Sequence, residues 1–180
     1  MPDPLAPTSR YPRPGDPGVT RVVTSVTDTP EPAWGADVAP GYAALYEIAR
    51  GGMGRVVAAR DLKLNREVAI KFLLPSLDPT AAARFVRESE ITARLAHPGV
   101  PPVHALGRTP SGYPFLVMKL VHGRTLADLL GARPDPAHDL PRLVAVFEQV
   151  CQAVGYAHSQ GVLHRDLKPA NVMVGAFGEV

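Results

Sequence analysis

HRDLKPAN, residues 164–171, sets an aspartate, a lysine and an asparagine within one short loop. An aspartate near a hydroxyl nucleophile can orient it and accept its proton, which gives Asp166 a base's role. Asn171, five residues on, offers a neutral oxygen to magnesium, a cation that prefers hard oxygen donors. Lys168 between them can neutralise charge on a transferred phosphoryl group. A charged surface turn does not explain this set of residues at this spacing.

Upstream, IARGGMGRV (Ile48–Val56) places glycines between two short apolar runs. Bare backbone N–H groups there can meet phosphate oxygens, and an ordinary glycine-rich hairpin has the same pattern. VAIK follows, with Lys71 on a strand flanked by Val68, Ile70 and Phe72. A lysine buried on such a strand requires a partner, whereas an edge strand would turn it to water. In the next helical stretch Ala81, Phe85, Thr92 and Leu95 define an inward stripe, with Glu88 at its centre and Glu90 opposite. Glu88 is thus the carboxylate expected to face the sheet and pair with Lys71.

The surrounding elements read as α+β. Strands are expected at residues 44–50, 55–60, 66–73, 103–108 and 113–120, and helices at 79–95, 125–132 and 140–159. The helix 79–95 is ended by His97-Pro98-Gly99, and Thr125 caps the short helix. The last helix carries Leu140, Leu143, Val144, Phe147, Val150, Cys151 and Val154 on one stripe.

Nine of the twenty prolines fall in residues 1–40, so this segment reads as a disordered arm, with Tyr11–Pro14 read as plain linker and a PxxP-type docking motif as the alternative. The 180-residue chain as a whole is 46% hydrophobic, a globular composition. A net charge of +2, with scattered arginines and no basic run, gives no case for nucleic acid or an anionic membrane as partner. The single cysteine, Cys151, rules out an intrachain disulfide framework, favours a reducing compartment and reads as a small core residue. No signal-peptide pattern and no apolar run of about 18 residues is present, which makes cytoplasmic the expected location of this segment.

These residues together resemble the eukaryotic-like protein kinases, and most of all the bacterial serine/threonine kinases, over residues 41–180. GGMG, VAIK, a helix glutamate, a hinge and AHSQGVLHRDLKPANVMV occur in the family's order and spacing. Ala49 stands where the glycine loop's first glycine is usual, and Lys119 where the hinge usually has glutamate. The Lys168-Pro169 pair is similar to the serine/threonine group rather than the tyrosine kinases.

The resemblance implies a small lobe and hinge at 41–121, made of a five-stranded antiparallel sheet plus a helix C. The start of a helical large lobe would span 122–180. It implies an ATP site formed by Ile48, Ala49, Arg50, Gly51, Gly52, Met53, Gly54, Arg55, Val56, Ala69, Lys71, Lys119 and Val121, with Met118 as gatekeeper. Glu88 would be the salt-bridge partner of Lys71. Asp166 would be the catalytic base, Lys168 a γ-phosphate contact and Asn171 a magnesium ligand. ATP and Mg2+ are the implied cofactors, and protein Ser/Thr hydroxyls the implied substrates. The family's DFG-like motif and activation segment, the partners of His164 and Arg165, would lie beyond Val180. The large lobe is therefore expected to be incomplete, and a truncated, non-catalytic nucleotide-binding module is the alternative reading.

Overall fold

The computed structural model describes residues 39–51, 54–74, 78 and 80–180. Nearly all of the proline-rich arm, as well as Gly52 and Met53, lies outside the described residues.

Five strands form one antiparallel sheet: β1 (Tyr42–Gly51), β2 (Gly54–Asp61), β3 (Arg66–Leu73), β4 (Val103–Arg108) and β5 (Pro114–Lys119), in the order β1-β2-β3-β5-β4. Alternation along β2, β3 and β5 sends Val57, Val68, Ile70, Phe72, Phe115 and Val117 into one core. The β2–β3 turn is fixed by Asp61, which accepts the N–H groups of Lys63 and Leu64 at 3.1 Å each. Strand β3 lies between β2 and β5, so Lys71 is not on an edge strand.

Helix α1 (Ala81–Ala93) covers one side of this sheet, with Phe85 packed against Leu73 and Leu116. Its buried residues are Phe85 and Ser89, while Glu88 is exposed. The expected placement of Glu88 at the centre of the inward face is therefore corrected. Ser89 can enter the core because its hydroxyl donates to the Phe85 carbonyl at 2.7 Å and leaves no polar group unsatisfied. A carboxylate in that position would need a cation within reach.

Past β5, the two-residue strand β6 (Arg124–Thr125) leads into α2 (Leu126–Gly131), and Thr125 Oγ1 accepts the Asp128 N–H at 3.0 Å as the cap. Helix α3 (Leu140–Ser159) follows, then a 3-10 turn at Pro169–Asn171 and strand β7 (Met173–Val174), which pairs with β6. Val146 and Val150 of α3 pack with Val172 and Val174, and with Leu126 and Leu129. The buried face of α3 is thus Val146, Val150 and Ala153. Leu140, Val144, Cys151 and Phe147, the last 64% exposed, point to solvent, correcting the expected stripe and the reading of Cys151 as a core residue. The helical period was right, but its phase follows the side on which β7 docks.

Among the described residues, no helix is long and apolar enough to cross a membrane.

Gly123 lets β6 approach β7 closely. A Cβ there would lie 2.8 Å from the Val174 carbonyl carbon and closer still to its oxygen, both backbone atoms that cannot swing away. Gly123→Ala is expected to cost about 1–3 kcal/mol by overpacking. The Leu126 N–H, which donates to the Val172 carbonyl at 2.8 Å, should then exchange faster with solvent deuterium. Unchanged exchange at Leu126 would refute the close-approach argument.

Candidate active site

The loop 164–171 is held at its far end by buried Val172 and Val174 and by the β6–β7 pairing. Arg165 takes a left-handed backbone, φ 62°, which is uncommon for a residue with a Cβ. On one side of this bend His164 Nδ1 accepts the Asp166 N–H at 3.3 Å. On the other, Lys168 Nζ donates to both Asp166 carboxylate oxygens, at 3.0 and 2.9 Å. Asn171 Nδ2 bridges the Asp166 carbonyl at 2.8 Å and carboxylate Oδ2 at 3.0 Å. The turn that brings Asn171 back is closed by its N–H on the Lys168 carbonyl at 2.9 Å.

Asp166, Lys168 and Asn171 are thus gathered into one exposed cluster. The Lys168 ammonium first, and the Asn171 amide after it, hold the Asp166 carboxyl below its ordinary value. An ionised carboxylate suits a group that must receive or orient a hydroxyl proton. Both Asn171 side-chain bonds run through Nδ2, so Oδ1 is the oxygen it can offer a cation. Among the described residues there is no group of three or more His, Cys, Asp or Glu side chains able to enclose a metal. Asn171 Oδ1 is a single neutral oxygen of the kind magnesium accepts beside water and phosphate.

The small-lobe residues are gathered by strand register. Gly51 faces Gly54 at the mouth of the β1–β2 hairpin, and Ala49 and Arg50 pair with Val56 and Arg55. A Cβ on Gly54 would come 2.5 Å from the Phe72 carbonyl oxygen, so only glycine lets β2 lie this close to β3. Val56 pairs with Lys71, Ala58 with Ala69, and Ala69 in turn with Met118. Ala58, Ala69 and Leu120, with Val56 and Met118 beside them, form a separate apolar cluster. The two alanines and Leu120 are themselves buried.

Ile48 is 45% exposed. Two arginines of the hairpin are directed elsewhere: Arg50 forms a paired contact with Glu47 at 2.9 and 2.7 Å, and Arg55 lies over the Phe72 ring. Lys119 donates its N–H to the Pro102 carbonyl at 2.9 Å and exposes its side chain, while Val121 is half-buried.

Lys71 is exposed, and its Nζ stands 5.8 Å from the Phe85 ring centroid. No ion pair joins it to Glu88 among the described residues, which corrects the expected salt bridge. Phe85, rather than a carboxylate, is the α1 side chain that the ammonium meets.

A link between α3 and the segment after α1 did not follow from the sequence. Tyr156 Oη accepts the Ala96 N–H at 3.2 Å, and the His97 and Tyr156 rings stack 5.3 Å apart. Gly99, which packs beside Ala153, has its N–H on His97 Nδ1 at 3.0 Å. His97-Pro98-Gly99 reads in sequence as a helix breaker, and nothing local signals its partner about sixty residues on.

This combination of a five-stranded lobe with one helix and a short polar loop backed by α3 is a protein-kinase-like fold. The chain belongs to the protein kinase family, whose profile, described as "Protein kinase domain", matches residues 42–180. Serine/threonine-protein kinase PknB of Mycobacterium tuberculosis (strain ATCC 25618 / H37Rv) is 41% identical over 135 residues, covering 72% of this chain and 21% of that protein. Serine/threonine-protein kinase PknD of Protochlamydia amoebophila (strain UWE25) is 37% identical over 151 residues, covering 77% of this chain and 15% of that protein. Among solved structures, the Mycobacterium tuberculosis PknI kinase domain superposes with a TM-score of 0.66 at 30% identity, over 81% of this chain and 59% of that one. The chain thus spans 21% and 15% of the lengths of these two curated relatives.

Proposed function

We propose that the protein is an ATP-dependent protein serine/threonine kinase, transferring the γ-phosphate of ATP to Ser and Thr hydroxyls of a protein substrate. The observation that carries this reading is the Asp166 carboxylate held jointly by Lys168 and Asn171. Asp166 receives the substrate hydroxyl and takes its proton as the oxygen attacks the γ-phosphorus. Lys168 lies within reach of the same point and meets the negative charge gathering on the transferred group. Asn171 would hold a magnesium ion through Oδ1, and that ion would supply positive charge to the ATP phosphates.

On the small lobe, Gly51 and Gly54 let backbone N–H groups approach the phosphates, and Lys71 supplies an ammonium to them. The Ala69–Met118 cluster covers the adenine, and the main chain at Lys119–Val121 meets its edge. Gly52 and Met53 complete the same loop in this reading. Catalysis of this kind rests mostly on positioning and charge stabilisation, so each role requires a fixed side chain rather than an unusual one.

One observation favours a second reading. The unpaired Lys71 and Glu88 fit a kinase-fold module that binds nucleotide without transferring phosphate. γ-Labelled ATP with a generic protein substrate, followed by phosphoamino-acid analysis, separates the two. Label on phosphoserine and phosphothreonine is expected. Nucleotide binding with no transfer would overturn the first reading in favour of the second, and label on tyrosine would overturn the substrate class.

A further inference from the structure

Between the end of α2 and the first turns of α3 lies a depression of about 180 Å³, lined by Arg124, Arg133, Arg142, His138 and Asp139 and closed below by Val146. The three arginines come from three different elements: β6, the α2–α3 connection and α3. The one carboxylate facing them, Asp139, lies 3.4 Å from Arg142 Nη1, so the lining retains an excess of positive charge. Like charges gathered in one concavity repel, and an anion placed between them relieves that repulsion.

The guanidinium groups are tethered without being used up. Arg124 Nη2 donates to the Asp128 carbonyl at 3.2 Å, and Arg133 Nη1 to the Pro136 carbonyl at 2.8 Å. Arg133 Nε reaches the Leu130 carbonyl at 3.5 Å. Each guanidinium has five N–H donors, so most stay available while Arg124 and Arg133 are held by backbone carbonyls and Arg142 by Asp139. Arg124 Nε is buried and meets no acceptor among the described residues. A buried donor of that kind normally has a partner.

We propose that this depression is a binding site for a phosphate dianion, supplied either as free phosphate or as a phosphorylated Ser or Thr side chain. Guanidinium forks match phosphate oxygens in paired hydrogen bonds, and a dianion answers the excess charge better than a single carboxylate. The volume suits one phosphate group with a short stem and is too small for a whole nucleotide, whose pockets run from roughly 300 Å³ upward. The site is built from residues that take no part in the Asp166 cluster.

The test titrates inorganic phosphate, a phosphoserine peptide and its unphosphorylated form into the full chain while backbone amide shifts are followed by NMR. The same titrations are run on the Arg133→Gln/Arg142→Gln double variant, with circular dichroism to verify its fold. Shifts are expected at Leu129, His138 and Leu143. Affinity in the double variant should fall by roughly tenfold or more, as charge-assisted contacts are lost. A phosphopeptide binding more tightly than inorganic phosphate assigns the site to a phosphorylated side chain, and equal affinity assigns it to free phosphate. Three outcomes each overturn the proposal: wild-type shifts confined to the neighbourhood of Lys71 and Asp166, undiminished affinity in the folded variant, or an equal response to the unphosphorylated peptide. Should the variant fail to fold, the wild-type shift map alone decides, since an unperturbed Leu129–Leu143 region rules the site out.

Discussion

Asp166→Asn is expected to lower kcat for phosphoryl transfer by roughly 10²–10⁴-fold, the range for loss of a positioned general base. Asparagine is close to isosteric, so the Asn171 Nδ2 bond to the residue-166 carbonyl, 2.8 Å in the wild type, can persist and hold the loop. What disappears is the charge that Lys168 Nζ meets at 2.9–3.0 Å. The KM for ATP should change little, because the proposed nucleotide site draws on Lys71 and the small-lobe cluster. A fall in kcat and kcat/KM by the same factor is the mark of an interaction made only in the transition state. Equal activity of the two proteins would remove Asp166 from the role of base.

The pH dependence has a definite sign. The folded-state pKa of Asp166 lies below the ordinary 3.8, through Lys168 first and Asn171 second. The ionised form is therefore favoured by folding. Any stability this group contributes is present above that ordinary value and is lost as pH falls through the depressed one. An acid limb of activity due to Asp166 in the free protein is expected on the acid side of an ordinary aspartate's, and absent from Asp166→Asn. A limb near neutrality in both proteins would belong to another group.

Much of this site is legible in the sequence because its chemistry is local. Asp166, Lys168 and Asn171 lie within six residues, and one turn closes them together. The strands are legible for a similar reason. The Val68–Phe72 run has strand character and period, and β3, β4 and α3 have the boundaries that the pattern predicts. Helix phase is different. The spacing of Ala81, Phe85 and Thr92 sets a stripe but leaves its centre loose by one side chain, and packing of Phe85 and Ser89 decided it against Glu88. The same slip recurs on α3, where Val146 rather than Phe147 faces β7. Strands β6 and β7 are two residues each, too short to carry a period, and the Tyr156–Ala96 bond joins residues with no local signal.

Ile70→Ala is expected to cost about 2–5 kcal/mol of stability, the usual range for truncating a fully buried aliphatic side chain. Ile70 is 1% exposed and stands in register with Val57 on β2 and Val117 on β5, both 0% exposed. Backbone ladders on both sides hold the three strands at fixed spacing, so the vacated volume cannot be closed by moving one strand toward another. The denaturant midpoint should fall with little change in the slope of unfolding. Since folded domains have only about 5–15 kcal/mol in hand, a loss at the upper end would leave a sizeable unfolded fraction at 37 °C. Ile48, 45% exposed on β1, supplies the control: Ile48→Ala removes the same atoms from a site already open to water. It should move the midpoint far less while weakening ATP binding, since the family resemblance puts Ile48 in the ATP site. Equal stability losses at the two positions would show that burial between β2 and β5 does not dominate the small lobe. The two isoleucines thus separate what holds the sheet together from what the sheet would present to the proposed nucleotide.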